Sequence, residues 1–281
     1  MSVRIIALLT DFGQRDPYVG TMKGIMLGIN PDLQLIDISH EIQPQKIREA
    51  AIALVVAFPY FPPQTIFLVV VDPGVGGTRR PLVVETANHL FVAPDNGVLG
   101  PVLSQVDVLR VLHATEATYF RRPISRTFHG RDVFAPLAAW LSCGIPLSSI
   151  GPEIHDYVRL ELPQPRVVAE QALEGEIIHV DRFGNLMTNV PESGIVELWG
   201  HPDWQRMRTR VGSAVIDGMD SHYAQRPPNA LGVLINSWGF CEIFVNGGSA
   251  AQATGAAEGT PVSIRSVMAT PRTLSAQENN S

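Results

Sequence analysis

Residues 65–72, TIFLVVVD, run through six consecutive apolar positions between a threonine and an aspartate. A strand with one wet face alternates apolar and polar side chains. One without alternation is buried on both faces, as in the middle of a parallel sheet covered by helices. The segments before it agree. VRIIALL (3–9) reads as another buried strand and YVGTMKGIMLGI as a helix with Val19, Met22, Ile25, Met26 and Ile29 at helical spacing. DLQLIDIS reads as a further strand and IREAAIALVVAF as a second helix, stopped by the proline-rich PYFPPQ. Strand, helix, strand alternation demands right-handed crossovers with helices on both faces of the sheet. Beyond these, PLVVETAN and HLFVAPDNG form two tightly joined strands. HGRDVFAPLAAWLSCG forms a helix with Val133, Phe134, Leu137 and Leu141 on one side and His129 at its N-terminal edge.

The texture changes near residue 162. LPQPRVVAEQALEG is proline-containing and irregular and reads as a linker. After it, EGEIIHVDRFGNLMTNV, RMRTRVGSAVIDG, GVLINSWGFCEIFVNGGSA and GTPVSIRSV are short strands with Gly and Asn turns, the pattern of a small antiparallel barrel or sandwich. The expected organisation is therefore an α/β domain with a mostly parallel sheet over 1–162, a smaller all-β, barrel-like domain over 171–267, and a loose tail over 268–281, which has almost nothing to bury.

Composition narrows the class. With 45% hydrophobic and 17% charged residues and a net charge of −6, the 281-residue chain reads as a soluble globular protein. No secretory leader is evident, and no apolar run reaches the roughly 18 residues of a membrane span. Cys143 and Cys241, far apart and outside any CxxC spacing, argue against a disulfide framework or structural zinc, so a reducing cytoplasm is the expected home. Mild acidity argues against nucleic acid, and Arg121, Arg122, Arg126 and Arg131 read as a solvated face or small-anion site.

The chemistry concentrates at strand ends. Ligands of parallel sheets gather beyond the carboxyl ends of the strands, where Asp11 (TDFG) and Asp72 (VVVDPGVGGTRR) both fall. Pro73 drives Asp72 out of the helical region, and Gly74, Gly76 and Gly77 permit close backbone approach. The loop lacks the Gly-Lys-Ser/Thr ending of a P-loop. His129 in FHGRD has Asp132 three residues on, able to cap the helix or orient the ring. Asp181 and Asn185 share the turn HVDRFGN, where turn chemistry alone would account for both. No HxH, HExxH or DxD spacing marks a metal site, and no metal or other cofactor is expected.

Six blocks, LLTDFGQRDPYVGTMKG, VVVDPGVGGTRR, APDNGVL, TFHGRDVFAP, VDRFGNLMTNV and INSWGF, in this order over nearly the whole chain, resemble the S-adenosyl-L-methionine hydroxide adenosyltransferases. These are adenosine-forming hydrolases related to fluorinase and chlorinase. The resemblance implies a Rossmann-like N-terminal domain, a β-barrel-like C-terminal domain, and a homotrimer with active sites between the N-terminal domain of one subunit and the C-terminal domain of its neighbour. It implies hydrolysis of S-adenosyl-L-methionine (SAM) to adenosine and L-methionine by attack on ribose C5′. The family's Asp, Arg, His set falls on Asp72, Arg79 and His129, the choice of Arg79 over Arg80 resting on the offset from Asp72. Asp11 matches the partner of the ribose hydroxyls, Asp181 that of the methionine ammonium, Asn185 an adenine or loop-holding contact, and Ser237 a methionine contact. Asn96, Gly130 and Trp238 complete the implied substrate-binding set.

The halogenating relatives carry tyrosines in place of Asp72 and His129 and a small hydroxyl in place of Gly130, so this chain resembles a hydroxide user. It departs from them at Trp238, where they have an arginine, and at Gln45 and Met187, where they have a tryptophan. Three other classes fit parts of the pattern: a non-catalytic binder of adenosyl ligands, a metal-dependent hydrolase, and a halide-using transferase.

Overall fold

The computed structural model describes residues 4–169, 172–200 and 202–267. The expected tail over 268–281 and the first residue of the expected opening strand lie outside them. The chain divides into two compact units between Leu162 and Pro163.

The first unit holds a six-stranded sheet in the order β2-β1-β3-β5-β4-β6. Its strands are β1 (Arg4–Thr10), β2 (Leu33–Ser39), β3 (Ile66–Val70), β4 (Pro81–Thr86), β5 (Leu90–Pro94) and β6 (Val108–His113). β2, β1, β3 and β5 are mutually parallel, and β4 runs antiparallel to both β5 and β6. The sheet is mixed, with one reversed strand.

The all-apolar character of β3 has a direct cause. Ile66, Leu68 and Val70 pack into one core with Met22 and Met26 of α1 (Tyr18–Ile29) and Leu137 of α4 (Ala135–Ser142). Phe67, Val69 and Val71 pack into the opposite core with Ala50 and Leu54 of α2 (Ile47–Ala57) and Val102 of α3 (Gly100–Leu103). Burying each such side chain contributes about 1.5–3 kcal/mol, so neither face of this strand tolerates a polar residue.

The second unit is antiparallel throughout its path β11-β10-β14-β8-β9-β13-β12, with β7 paired to β8. The strands are β7 (Arg166–Ala169), β8 (Ala172–Val180), β9 (Leu186–Pro191), β10 (Met207–Val211), β11 (Ala214–Asp217), β12 (Leu231–Ile235), β13 (Phe240–Val245) and β14 (Pro261–Ser266). An isolated bridge from Asp220, just past β11, to Leu234 of β12 brings the two ends together, so the sheet is a nearly closed barrel. Two short helices, α5 (Glu192–Trp199) and α6 (Ala250–Thr254), attach to it. The segment expected to be a linker instead carries Arg166–Ala169 as a strand and the start of β8 at Ala172, the two paired from Arg166↔Glu174 onward. No helix among the described residues is long and apolar enough to cross a membrane.

Candidate active site

Thr10 and Val70 are register partners at the ends of the parallel strands β1 and β3. Asp11 and Asp72, one and two residues further on, therefore emerge at the same edge of the sheet. The chain then doubles back: Val75 N–H donates to the Asp72 carbonyl at 3.2 Å and Gly77 N–H to the Gly74 carbonyl at 3.0 Å. Gly76 has φ +76°, and a Cβ there would sit 2.1 Å from the Arg126 carbonyl oxygen. This small, tight loop returns Arg79 to the acid that precedes it.

Arg79 Nε donates to both Asp72 oxygens, at 2.9 and 3.0 Å, and Nη2 donates to Asp72 Oδ2 as well. Nη2 also lies 2.7 Å from His129 Nδ1. A guanidinium has no acceptor, so Nδ1 must accept, and the imidazole is neutral with its proton on Nε2. Burial first, and the Arg79 charge second, push His129 below the ordinary histidine value, against the opposing pull of Asp72 and Asp132. The guanidinium lies 5.1 Å over the Phe134 ring. Asp72 and Arg79 are only 5% and 10% exposed, so this is a sheltered pair.

The neighbouring arginines are committed elsewhere. Arg80 donates to Asp95 at 2.7 Å and Asp156 at 2.8 Å, clamping the segment that leads to Leu160. Asp132 neither caps the helix nor touches His129 by a hydrogen bond. It is fully buried and accepts from Arg131, Arg121 and the Ser125 N–H, holding the 121–132 loop closed. Two members of the basic cluster are thus structural.

Asp11 accepts the Gln45 N–H at 2.8 Å, for which Gln45 adopts φ +68°, a left-handed conformation uncommon outside glycine. Burial raises the Asp11 carboxyl above its usual value. Backbone N–H bonds oppose the shift, and the Asp72 charge adds to it. Asp11, Asp72, His129, Gln45 and Gly130 line one cavity of about 300 Å³. Its aromatic wall is Phe12, Tyr18 and Phe128, with ring centroids 5.1 to 5.8 Å apart. A Cβ at Gly130 would meet Phe12 and Phe128 at 3.2 Å, so a larger residue here displaces that wall. Asn96 does not line the cavity. Its amide donates to the Val71 carbonyl at 2.9 Å and accepts from Val98 N–H, which makes it a brace behind Asp72.

The second unit carries a cavity of about 710 Å³, lined among others by Asp181, Phe183, Asn185, Ser237 and Trp238. Asp181 Oδ1 accepts from Phe183 N–H (2.9 Å) and Asn185 N–H (2.8 Å), and Oδ2 accepts from Asn185 Nδ2 (3.0 Å). Gly184, φ +82°, permits this turn, because a Cβ there would strike Ser249 Oγ at 2.1 Å. Met187 is buried in β9 and is not part of the lining. Several lining residues lie outside the expected set, Glu242, Tyr223 and Asn236 among them. Glu242 did leave a signal, a carboxylate in the otherwise apolar strand FCEIFV; Tyr223 left none.

Residues 6–151 match the SAM hydroxide adenosyltransferase N-terminal domain and residues 175–263 match its C-terminal domain. The chain belongs to this family. It is similar to the (R)-S-adenosyl-L-methionine hydrolases of Thermus thermophilus (36% identical, 93% of this chain and 100% of the relative) and Methanocaldococcus jannaschii (37%, 85% and 87%). A fluorinase of Nocardia brasiliensis is more distant, 29% identical over 69% of this chain and 73% of its own length. Among solved structures, an uncharacterized conserved protein from Thermotoga maritima superimposes with a TM-score of 0.87 at 39% identity, covering 92% of this chain and 99% of that one.

Each of the two units carries a cavity, and the two differ in chemistry. The first is lined by Asp72 and His129, which share the Arg79 guanidinium although Arg79 itself is not a lining residue; the second is lined by acids held by neutral donors. Among the described residues, no group of three or more His, Cys, Asp or Glu side chains is set to hold a metal ion.

Proposed function

We propose that the chain hydrolyses SAM to adenosine and L-methionine by direct attack of water on ribose C5′, with Asp72, Arg79 and His129 around the attacking oxygen. The activity class is SAM hydrolysis, in keeping with the curated relatives at 33–37% identity. The observation that carries the site assignment is the single guanidinium that binds Asp72 and His129 at once.

The bonds balance simply. The C5′–O bond forms as the C5′–S bond breaks, sulfur takes the bonding pair and departs as a neutral thioether, and water's proton leaves through Asp72 to solvent. A sulfonium needs no acid to depart, so the nucleophile limits the rate. Water has a pKa near 15.7 and a free aspartate near 3.9, and the gap costs roughly 16 kcal/mol for complete proton transfer ahead of attack. Proton loss must therefore accompany C–O bond formation. Asp72 keeps acceptor lone pairs beyond those used by Arg79, enough to orient one water. His129 has its Nδ1 lone pair engaged, so its contribution is the Nε2–H donor and not a base. A cation near the developing hydroxide stabilises it by about 4 kcal/mol at 4 Å and an effective dielectric of 20.

On this reading Asp11 takes the ribose hydroxyls, for which a carboxylate that can accept two O–H bonds is apt. Gly130 lets Phe12 and Phe128 close the wall of the same cavity. Asp181 takes the methionine ammonium, with Asn185, Ser237 and Trp238 around it, and Asn96 acts only by bracing Val71. Four parallel strands with a cavity at their carboxyl ends support a Rossmann-like description of the first unit. We further assign the two ends of one substrate to neighbouring subunits of a homotrimer, without metal or cofactor. Incubation with SAM, with and without chloride and chelator, tests the reading. Adenosine and methionine in every arm are expected; 5′-chloro-5′-deoxyadenosine, loss of activity with chelator, or binding without product would each overturn it.

A further inference from the structure

Glu242 lies in the middle of β13, opposite Leu234 of β12 and Met187 of β9, and is 4% exposed. Both of its oxygens accept from neutral groups: Oε1 from Tyr223 Oη at 2.8 Å and Oε2 from Asn236 Nδ2 at 3.1 Å. A buried carboxylate whose hydrogen-bond donors among the described residues are neutral is a costly thing to keep in a strand core, so its contacts are informative. Tyr223 is itself fixed edge-on against Phe244, with centroids 5.0 Å apart.

Asn236 uses its other end on the turn that follows. Its Oδ1 accepts from Trp238 N–H at 3.0 Å and Phe240 N–H at 3.1 Å. Its main chain closes the same turn: Asn236 N–H donates to the Phe240 carbonyl at 2.8 Å, and Gly239 N–H donates to the Asn236 carbonyl at 3.0 Å. An amide can face either way. Here the carboxylate decides, because only Nδ2 can meet Glu242 and only Oδ1 can meet the two N–H groups. We infer that Glu242 is a positioning residue for substrate binding, acting through Asn236 to set the 236–240 turn that presents Ser237 and Trp238 to the cavity. The inference rests on the reading that this cavity takes the aminoacyl end of SAM.

Steady-state kinetics on full-length variants test it. Asn236→Asp keeps the acceptor for Trp238 and Phe240 but sets a second carboxylate against Glu242. KM for SAM is expected to rise about tenfold or more, the scale of one hydrogen bond to a charged group, with kcat within about threefold. Adding Glu242→Gln reverses the pair. The amide introduced at position 242 then donates to the carboxylate introduced at position 236 and accepts from the Tyr223 hydroxyl, and KM should return to within about threefold of wild type. Glu242→Ala should raise KM as Asn236→Ala does, and the double alanine variant should be no worse than either alone. A folded Asn236→Asp, Glu242→Gln protein with KM no better than Asn236→Asp overturns the inference, as does an unchanged KM in Asn236→Ala. Asp181→Asn separates the two levels. If it raises KM while the Asn236 variants do not, only the inference falls; if it too leaves KM unchanged, the cavity reading itself falls.

Discussion

In the first unit Asp72 meets a guanidinium along both carboxylate oxygens, whereas in the second unit Glu242 is held by a phenol and an amide, and Asp181 by amides alone. The difference separates two uses of a carboxylate. A carboxylate locked to arginine has fixed geometry and a compensated charge, which suits orienting a water whose trajectory matters. A carboxylate held by neutral donors keeps its charge uncompensated, which suits a ligand that brings its own cation. SAM brings two, a sulfonium and an ammonium.

The sharpest way to break this contrast is to disable the locked acid. Asp72→Asn or His129→Ala should lower kcat by about 10²-fold or more, the usual scale for a positioned proton-transfer or donor group, with little change in KM. If both variants turn over at the wild-type rate, the first cavity is not where bonds change. The complementary variant in the second cavity is Asp181→Asn, expected to raise KM about tenfold with kcat nearly unchanged, because on the proposed reading it meets groups that do not change in the reaction. A kcat effect as large as that of Asp72→Asn would erase the division of labour.

Acidity offers a third handle. His129 is depressed below about 6.5, the ordinary histidine value, so it stays neutral at neutral pH. Its contribution to stability and to donor geometry is complete above that value and is lost as pH falls through the lower folded-state pKa. The pH profile of kcat should therefore be flat at neutral pH and fall on the acid side, and an acid limb centred above pH 7 would contradict the neutral imidazole. Glu242 carries the opposite sign. Burial chiefly, with the Asp181 charge adding, raises it, against the donors Asn236 and Tyr223 and the nearby His179. The stability it contributes is present below the unfolded value and is lost as pH rises through the folded one. Glu242→Gln should consequently melt about 1–2 °C higher than wild type at neutral pH, the smallest effect of the set, and the difference should shrink toward pH 4. A lower melting temperature at both pH values would mean that the charge is compensated after all.

Much of the first unit was legible because its signals were local. The unbroken run from Ile66 to Val71 declared a strand buried on both faces, and parallel pairing placed the acids at its end and at the end of β1 on one edge. Arg79 was singled out only through the family resemblance, and its bond to Asp72 emerges from the fold. What stayed hidden depended on distant partners. β6 is an edge strand whose pattern is broken by exposed Leu109 and by Arg110, which reaches Glu85 on β4. β7 is four residues long and has meaning only against β8. The recruitment of Arg80 by Asp95 and Asp156, of Asn96 by Val71, and of Glu242 by Tyr223 and Asn236 is tertiary, and spacing alone does not reveal it.

In the proposed mechanism water, oriented by Asp72, attacks C5′ without a covalent intermediate. Single-turnover reaction in H₂¹⁸O, with enzyme in excess over SAM and the product read by mass spectrometry, tests that step directly. The prediction is ¹⁸O in the 5′-hydroxyl of adenosine from the first turnover. Unlabelled adenosine in that turnover would mean that a side-chain oxygen, with Asp72 the first suspect, attacks first, and the water-orienting role would be wrong.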